Sequence, residues 1–354
     1  MVDLRTQRYA LFALLAAGLF GVSAPLARQL VGVMSPGILA GLLYLGSGLA
    51  LAAMQLVQRA RKTERSESPL RRGDLPWLLG AVFFGGVLGP SLLMWGLQST
   101  SGAFASLLLG LEGILTALVA ALAFRESVDR RVWLAAALMV SASGVLASLG
   151  GGAASWLGVA GVVGACMCWA IDNNVTRPIS AADPVQIAMI KGLVAGGFNL
   201  VLAKSMGEPL PAWQPALAAL GIGALSYGVS LVLFILALRH LGSARAAAHF
   251  GTAPFFGAAF AIVLGEPVTV WLLIAIGLMA LATWLVLTEI HEHDHTHEAL
   301  AHEHFHEHDE HHQHGHEFPW DLKQGHAHAH AHVPLKHAHA HLPDLHHRHG
   351  HGSS

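Results

Sequence analysis

Charge is scarce in this sequence. Asp, Glu, Lys and Arg make up 12% of its 354 residues, about half the share of a soluble globular chain. Hydrophobic residues make up 54%. A soluble chain of this length would form two or three domains, and so few charges could not cover their surfaces. With a formal net charge of −2, there is no basic excess that calls for nucleic acid as a partner. Cysteine is nearly absent. Cys166 and Cys168 lie two apart in an apolar stretch, which puts them on nearly opposite sides of a helix. That spacing makes a poor chelate and no disulfide framework, so both read as small packing residues. The phosphate-cradling pattern GxxxxGK[ST] is also missing, so the chain shows no sign of hydrolysing ATP. It is expected not to be an enzyme and to require no cofactor.

Long apolar runs fill the space that charge leaves. A helix needs about 20 apolar residues to cross a bilayer. Ten runs qualify, roughly at 9–28, 36–57, 76–97, 102–124, 131–149, 156–176, 185–204, 214–238, 244–264 and 268–288. They predict an all-α membrane protein of ten transmembrane helices. The run at 185–204 is the weakest, because Lys191 interrupts it. Frequent Gly and Ala suit close helix packing in lipid. Arg5 and Arg8 before the first run resemble a signal peptide, but its apolar stretch is too long and Arg28 follows it, so the span is read as retained.

The few cations are unevenly placed. With the N-terminus in the cytoplasm, the inside segments hold Arg5 and Arg8, the basic cluster from Arg59 to Arg72, Arg125, Arg130 and Arg131, Arg177, and Arg239 and Arg245. The outside segments hold Arg28 and Lys204. The positive-inside rule therefore predicts both termini in the cytoplasm of an integral protein of the bacterial inner (plasma) membrane.

The chain also repeats itself. Residues 111–128, LEGILTALVAALAFRESV, echo residues 251–268, GTAPFFGAAFAIVLGEPV. LAAGLFGVSAPLAR, ending at Arg28, echoes VGACMCWAIDNNVTR, ending at Arg177. Each half holds five spans, an odd number, so the second half is inverted relative to the first. The expected units are a five-helix repeat at 9–150, a second at 155–290 and a tail at 291–354.

Two five-helix halves, an aromatic at Phe20 and Trp169 in each opening helix, and helix-end carboxylates at Glu126 and Glu266 together resemble the EamA-type transporters of the drug/metabolite superfamily. The resemblance covers about 9–288 and leaves the tail outside. It implies a secondary transporter, often an exporter, with a central cavity between inverted halves, a small-molecule substrate and the lipid bilayer as surroundings. Family substrates vary widely. The first half departs from the family pattern at Ile114, the repeat partner of Pro254, where a proline is common.

Ionisable groups at bilayer depth usually face the bundle interior or a water path. Glu112, near the centre of the fourth span, is the clearest candidate for a substrate or proton-coupling carboxylate; a structural carboxyl is the alternative. His249 in the ninth span suits a proton relay or a cation, or is simply packed. Asp172, Asn173 and Asn174 are consecutive, so at least one should face a cavity. Lys191 has either an acidic partner or an interface to snorkel to. Tyr227, Trp95 and Gln98 are pathway or packing residues. Pro25, Pro90 and Pro254 remove hydrogen bonds within spans. Glu126 and Glu266 read as structural.

From His291 the composition changes. Two of the 25 histidines, His240 and His249, precede this point, leaving 23 in the tail. One block mixes imidazole with carboxylate, and a second alternates His with Ala. The candidate ligands are His291, His293, His295, His297, His302, His304, His306, His308, His311 and His312, then His326, His328, His330 and His332. Such a tail lacks the apolar content to fold and is expected to be disordered. Imidazole suits zinc, nickel, cobalt and copper, and a solubilising tail without a metal role is the alternative.

The reading is a membrane exporter of a small organic metabolite or drug with a metal-binding regulatory tail. A divalent metal transporter and a non-transporting, membrane-anchored metal sensor or buffer are the competing readings. A homodimer is admitted as a partner state.

Overall fold

This computed structural model describes residues 4–60, 70–124, 130–149, 155–179, 182–241 and 249–287, and four six-residue stretches of the tail. Seven helices are long and apolar enough to cross a membrane: α1 (Gln7–Val31), α2 (Pro36–Ala60), α3 (Arg72–Ser99), α4 (Gly102–Ala120), α6 (Trp156–Thr176), α7 (Pro184–Ser205) and α8 (Trp213–Ala237). Shorter apolar helices occupy the remaining three expected positions: α5 (Trp133–Leu146), α9 (Ala253–Val263) and α10 (Val270–Leu285). Helix α7 spans without interruption, because Lys191 is paired inside the bundle. Apolar side chains such as Leu122, Val201 and Val263 are 85%, 70% and 79% exposed. On a soluble protein that much apolar surface would drive association, whereas in a bilayer it is the lipid face.

Packing follows the repeat. Helix α1 lies against α8 and α9, and its counterpart α6 lies against α3 and α4. Helix α2 runs along its own counterpart α7, and α5 along α10. Exchanging the halves therefore maps the contacts onto themselves. The α2–α7 crossing depends on glycine: a Cβ on Gly192 would lie 2.7 Å from the backbone nitrogen of Gly48, so nothing larger lets the two helices approach this closely.

Local chemistry sets the helix ends. Helix α7 starts at Pro184, whose missing N–H costs nothing at a first position; the Asp183 carboxylate accepts from the N–H groups of Val185 and Gln186 at 2.9 and 3.3 Å. Helix α9 ends at Gly265 with φ +97°, a left-handed residue that lets the N–H of Glu266 bond the carbonyl of Ala261 at 3.1 Å. That turn aims the Glu266 carboxylate at the start of α4, where it accepts from the N–H groups of Gly102 and Ala103 at 2.6 and 2.9 Å. Glu266 thus caps a helix of the other half, the structural part expected of it. Glu126 lies outside the described residues.

Four helices depart from regular α-helical geometry. Helix α3 becomes a π-helix over Val82–Leu88, and α8 does so over the repeat-equivalent Ala224–Val229. Helix α4 breaks at Leu109–Gly110 between the segments Gly102–Leu108 and Leu111–Phe124. In α9, helical His249–Phe250 gives way to a turn at Gly251–Thr252 before Ala253. Pro254 accounts for the second break, since it has no N–H to continue the preceding turn. Gly110, a poor helix former, stands at the first.

In the tail, four described stretches pair as two antiparallel ladders, His291–Thr296 with Lys336–His341 and Ala301–His306 with His326–Ala331. Alternating His and Ala is a period-two pattern that fits a strand better than a helix. A two-stranded ladder is marginal in water.

Candidate functional site

The site begins with a proline. Pro90 has no N–H, so carbonyls one turn before it lose their partner. The chain winds into the π-helix at that point, and side chains from three other helices take up the freed oxygens. The Gly85 carbonyl accepts from the Tyr44 hydroxyl of α2 at 2.6 Å and from the Trp169 indole N–H of α6 at 3.0 Å. The Gly86 carbonyl accepts from the Asn199 amide of α7 at 3.2 Å. Helices α2, α3, α6 and α7 are tied together at this level.

Beside this knot lies a cavity of about 260 Å³ whose lining comes from both halves. Helices α1, α2 and α8, with Phe250 just before α9, contribute an arc of rings. Tyr44 and Tyr227 are 5.8 Å apart between centroids, Tyr227 and Phe20 5.8 Å, Phe20 and Phe250 5.5 Å, and Phe250 and Phe234 4.5 Å. Trp169 adds a sixth ring. The hydroxyls of Ser47, Ser226 and Ser230 also line the space, although Ser230 donates to the Ala16 carbonyl at 2.8 Å.

The ionisable wall comes from α4, α6 and α7. Asp172, 4% exposed, forms an ion pair with Lys191, and its other oxygen accepts from the Thr176 hydroxyl at 3.1 Å. Glu112 lies in the first turn of Leu111–Phe124, where the break in α4 presents a helix N-terminus whose partial positive charge favours a carboxylate. Its Oε1 accepts from the Asn173 amide at 3.0 Å. The same amide also donates to Thr116 Oγ1 at 3.2 Å.

Of the residues expected to form a pathway, Glu112, Asp172, Lys191 and Tyr227 line this one cavity. Asn173 stands behind Glu112. Asn174 is buried and donates to the carbonyls of Thr116 and Ala170 at 3.1 and 2.9 Å, so it ties α6 to α4. His249 is half-buried just before the α9 break, next to the cavity residue Phe250, and its carbonyl accepts from the Thr252 hydroxyl at 2.6 Å. Trp95 and Gln98 lie exposed at the far end of α3 and do not line the cavity. The sequence reading missed Tyr44, Phe234 and Phe250. Tyr44 had a signal, being one of three tyrosines and placed in mid-span; the two phenylalanines had none, since any apolar span carries them.

Among the described residues, no three His, Cys, Asp or Glu side chains converge as a metal site. The arrangement is a small, mostly apolar chamber with one salt bridge and one further carboxylate, built where two inverted halves meet at broken helices. That is how secondary transporters form a midplane site.

The EamA-like transporter family matches residues 7–148 and 156–288, one match for each half. The chain belongs to this family and is a membrane transporter of the drug/metabolite superfamily, which places a lipid bilayer around it and gives it a small-molecule substrate. A protein of Methanothermobacter thermautotrophicus called an uncharacterized transporter is 27% identical over 272 residues, or 71% of this chain and 78% of that one. A solved crystal structure at 18% identity superposes with a TM-score of 0.58, covering 79% of this chain and 95% of its own; that likeness concerns the fold alone.

Proposed function

We propose that the chain exports a small organic metabolite or drug across the inner (plasma) membrane, with both termini in the cytoplasm. The observation that carries this reading is the cavity, in which apolar rings and a few polar groups from both halves surround one space. Rocking of one half against the other exposes such a space to each side in turn. Glu112, Asp172 and Lys191 supply the polar contacts, and an ion gradient supplies the energy.

The test is efflux from cells challenged with a panel of organic solutes. It compares the full-length chain, Glu112→Gln and a chain ending at Glu289 at matched membrane levels. Full-length protein is expected to lower accumulation of at least one solute. Glu112→Gln loses the effect and the shortened chain keeps it. Efflux unchanged in correctly folded Glu112→Gln overturns the reading.

One observation supports a metal role for the tail. The strand register sets histidine against histidine, at 291 and 341, 293 and 339, and 295 and 337 in one ladder, and at 302 and 330, 304 and 328, and 306 and 326 in the other. Histidines this numerous suit zinc, nickel, cobalt or copper. The tail is proposed as a regulatory metal binder. A change in cellular zinc, nickel or cobalt that both Glu112→Gln and truncation abolish would instead make a divalent metal the substrate. A metal effect lost on truncation alone, with no solute moved, would make the chain a membrane-anchored buffer.

A further inference from the structure

Among the described residues, three ionisable side chains line the cavity, Glu112, Asp172 and Lys191. Lys191 is engaged by Asp172. Glu112 is left with one bond from a neutral amide and, among the described residues, no cation at salt-bridge distance. An ionised carboxylate inside a membrane protein is costly without a counter-charge. When ionised, Glu112 gives the chamber a negative charge that no second cation among the described lining residues matches.

The rest of the lining suits the same partner. The rings of Tyr44, Tyr227, Phe20, Phe250 and Phe234 form a continuous arc, and Trp169 shares the cavity with them. Aromatic faces attract cations, more strongly when water is excluded, and they also bury apolar carbon. An anion would meet Glu112 while the lone ammonium is already taken. A zwitterion could set its amine on Glu112, but its carboxylate could reach a cation only by separating Lys191 from Asp172 and leaving that buried aspartate alone. At about 260 Å³, the chamber is just below the usual range for drug-sized ligands, so it admits a body of roughly one ring.

We propose that the cavity binds a small amphipathic organic monocation, an amine with an aromatic or branched apolar body, with its charge at Glu112 and its body against the ring arc. This rests on the transport reading above and specifies its substrate class.

The test uses purified full-length protein in liposomes and four probes that share one ring: phenethylamine (cation), 2-phenylethanol (neutral), phenylacetate (anion) and phenylalanine (zwitterion). Uptake into the liposomes and ligand-induced thermal stabilisation of the unmodified protein are measured for each. Phenethylamine is expected to be transported and to bind about tenfold more tightly than 2-phenylethanol, as a desolvated cation–π and carboxylate contact predicts. Glu112→Gln removes that preference, and Phe234→Ala weakens phenethylamine binding more than 2-phenylethanol binding. The stabilisation measurement needs no variant, so a variant that fails to fold leaves the test intact. A preference for phenylacetate, phenylalanine or 2-phenylethanol overturns the cation class and leaves organic-solute transport standing. Failure of all four to bind or move overturns the class as well, and the efflux panel then decides the transport reading separately.

Discussion

Lys191 sits mid-span, where a lone ammonium would be expensive, and Asp172 of α6 makes it tolerable by pairing with it. Removing one member of such a pair costs more than removing both, because the survivor keeps its desolvation penalty. Lys191→Met is expected to destabilise the purified protein by about 3 kcal/mol, seen as a lower thermal midpoint in detergent. Adding Asp172→Asn should restore most of the loss. A double variant no more stable than Lys191→Met would show that the pair does not hold α6 to α7. Asp172 and Lys191 were legible in the sequence as costly residues, but their pairing was not, since nineteen positions separate them and only the packing of α6 and α7 against the Val82–Leu88 segment of α3 brings their faces together.

At the scale of the element, irregular helices make the site. The length of apolar runs located the helices, seven of them long enough to cross a membrane and three shorter, because hydropathy depends on composition alone. It could not locate the π-helices in α3 and α8 or the breaks in α4 and α9. The π-helix in α3 is held by side chains that satisfy its freed carbonyls, as Tyr44, Trp169 and Asn199 do at Gly85 and Gly86. Close helix contact has its own requirement. Gly192→Ala puts a methyl 2.7 Å from the nitrogen of Gly48, too close for a fixed backbone, and is expected to lower the thermal midpoint and the folded yield. Gly197→Ala, on the same helix with nothing within 4 Å of the new carbon, should be neutral or stabilise by a few tenths of a kcal/mol, up to about 1. Equal effects of the two substitutions would refute the close-contact account of the α2–α7 crossing.

For the molecule as a whole, the proposed function gives the membrane part and the tail separate roles. The core clusters draw on residues up to Leu285, so a chain ending at Glu289 should keep the thermal midpoint and monodisperse behaviour of the full-length protein. It should lose divalent-metal binding measured by calorimetry. In the full-length chain that binding should weaken as pH falls toward about 6, because protonated imidazole cannot ligate a metal. A tail that binds nothing at pH 7.5 would return it to a solubilising segment. Reporter fusions at the C-terminus test orientation: the cation distribution predicts activity for a cytoplasmic reporter and none for an exported one.

The sequence by itself determined the medium, the ten helices, the two-fold repeat and the short roll of residues too costly to be idle in lipid. It did so because a bilayer imposes one-dimensional rules of length, hydropathy and charge that can be read without knowing neighbours. Tertiary structure alone decided which costly residues share a space. It brought Glu112, Asp172, Lys191 and Tyr227 to one cavity, left Trp95 and Gln98 at the surface, and closed the chamber with Tyr44, Phe234 and Phe250. The physical reason is that a helix in lipid can bury any of its faces, and the choice is made by glycine contacts and by carbonyls in need of donors, both of which become visible only once the helices are packed.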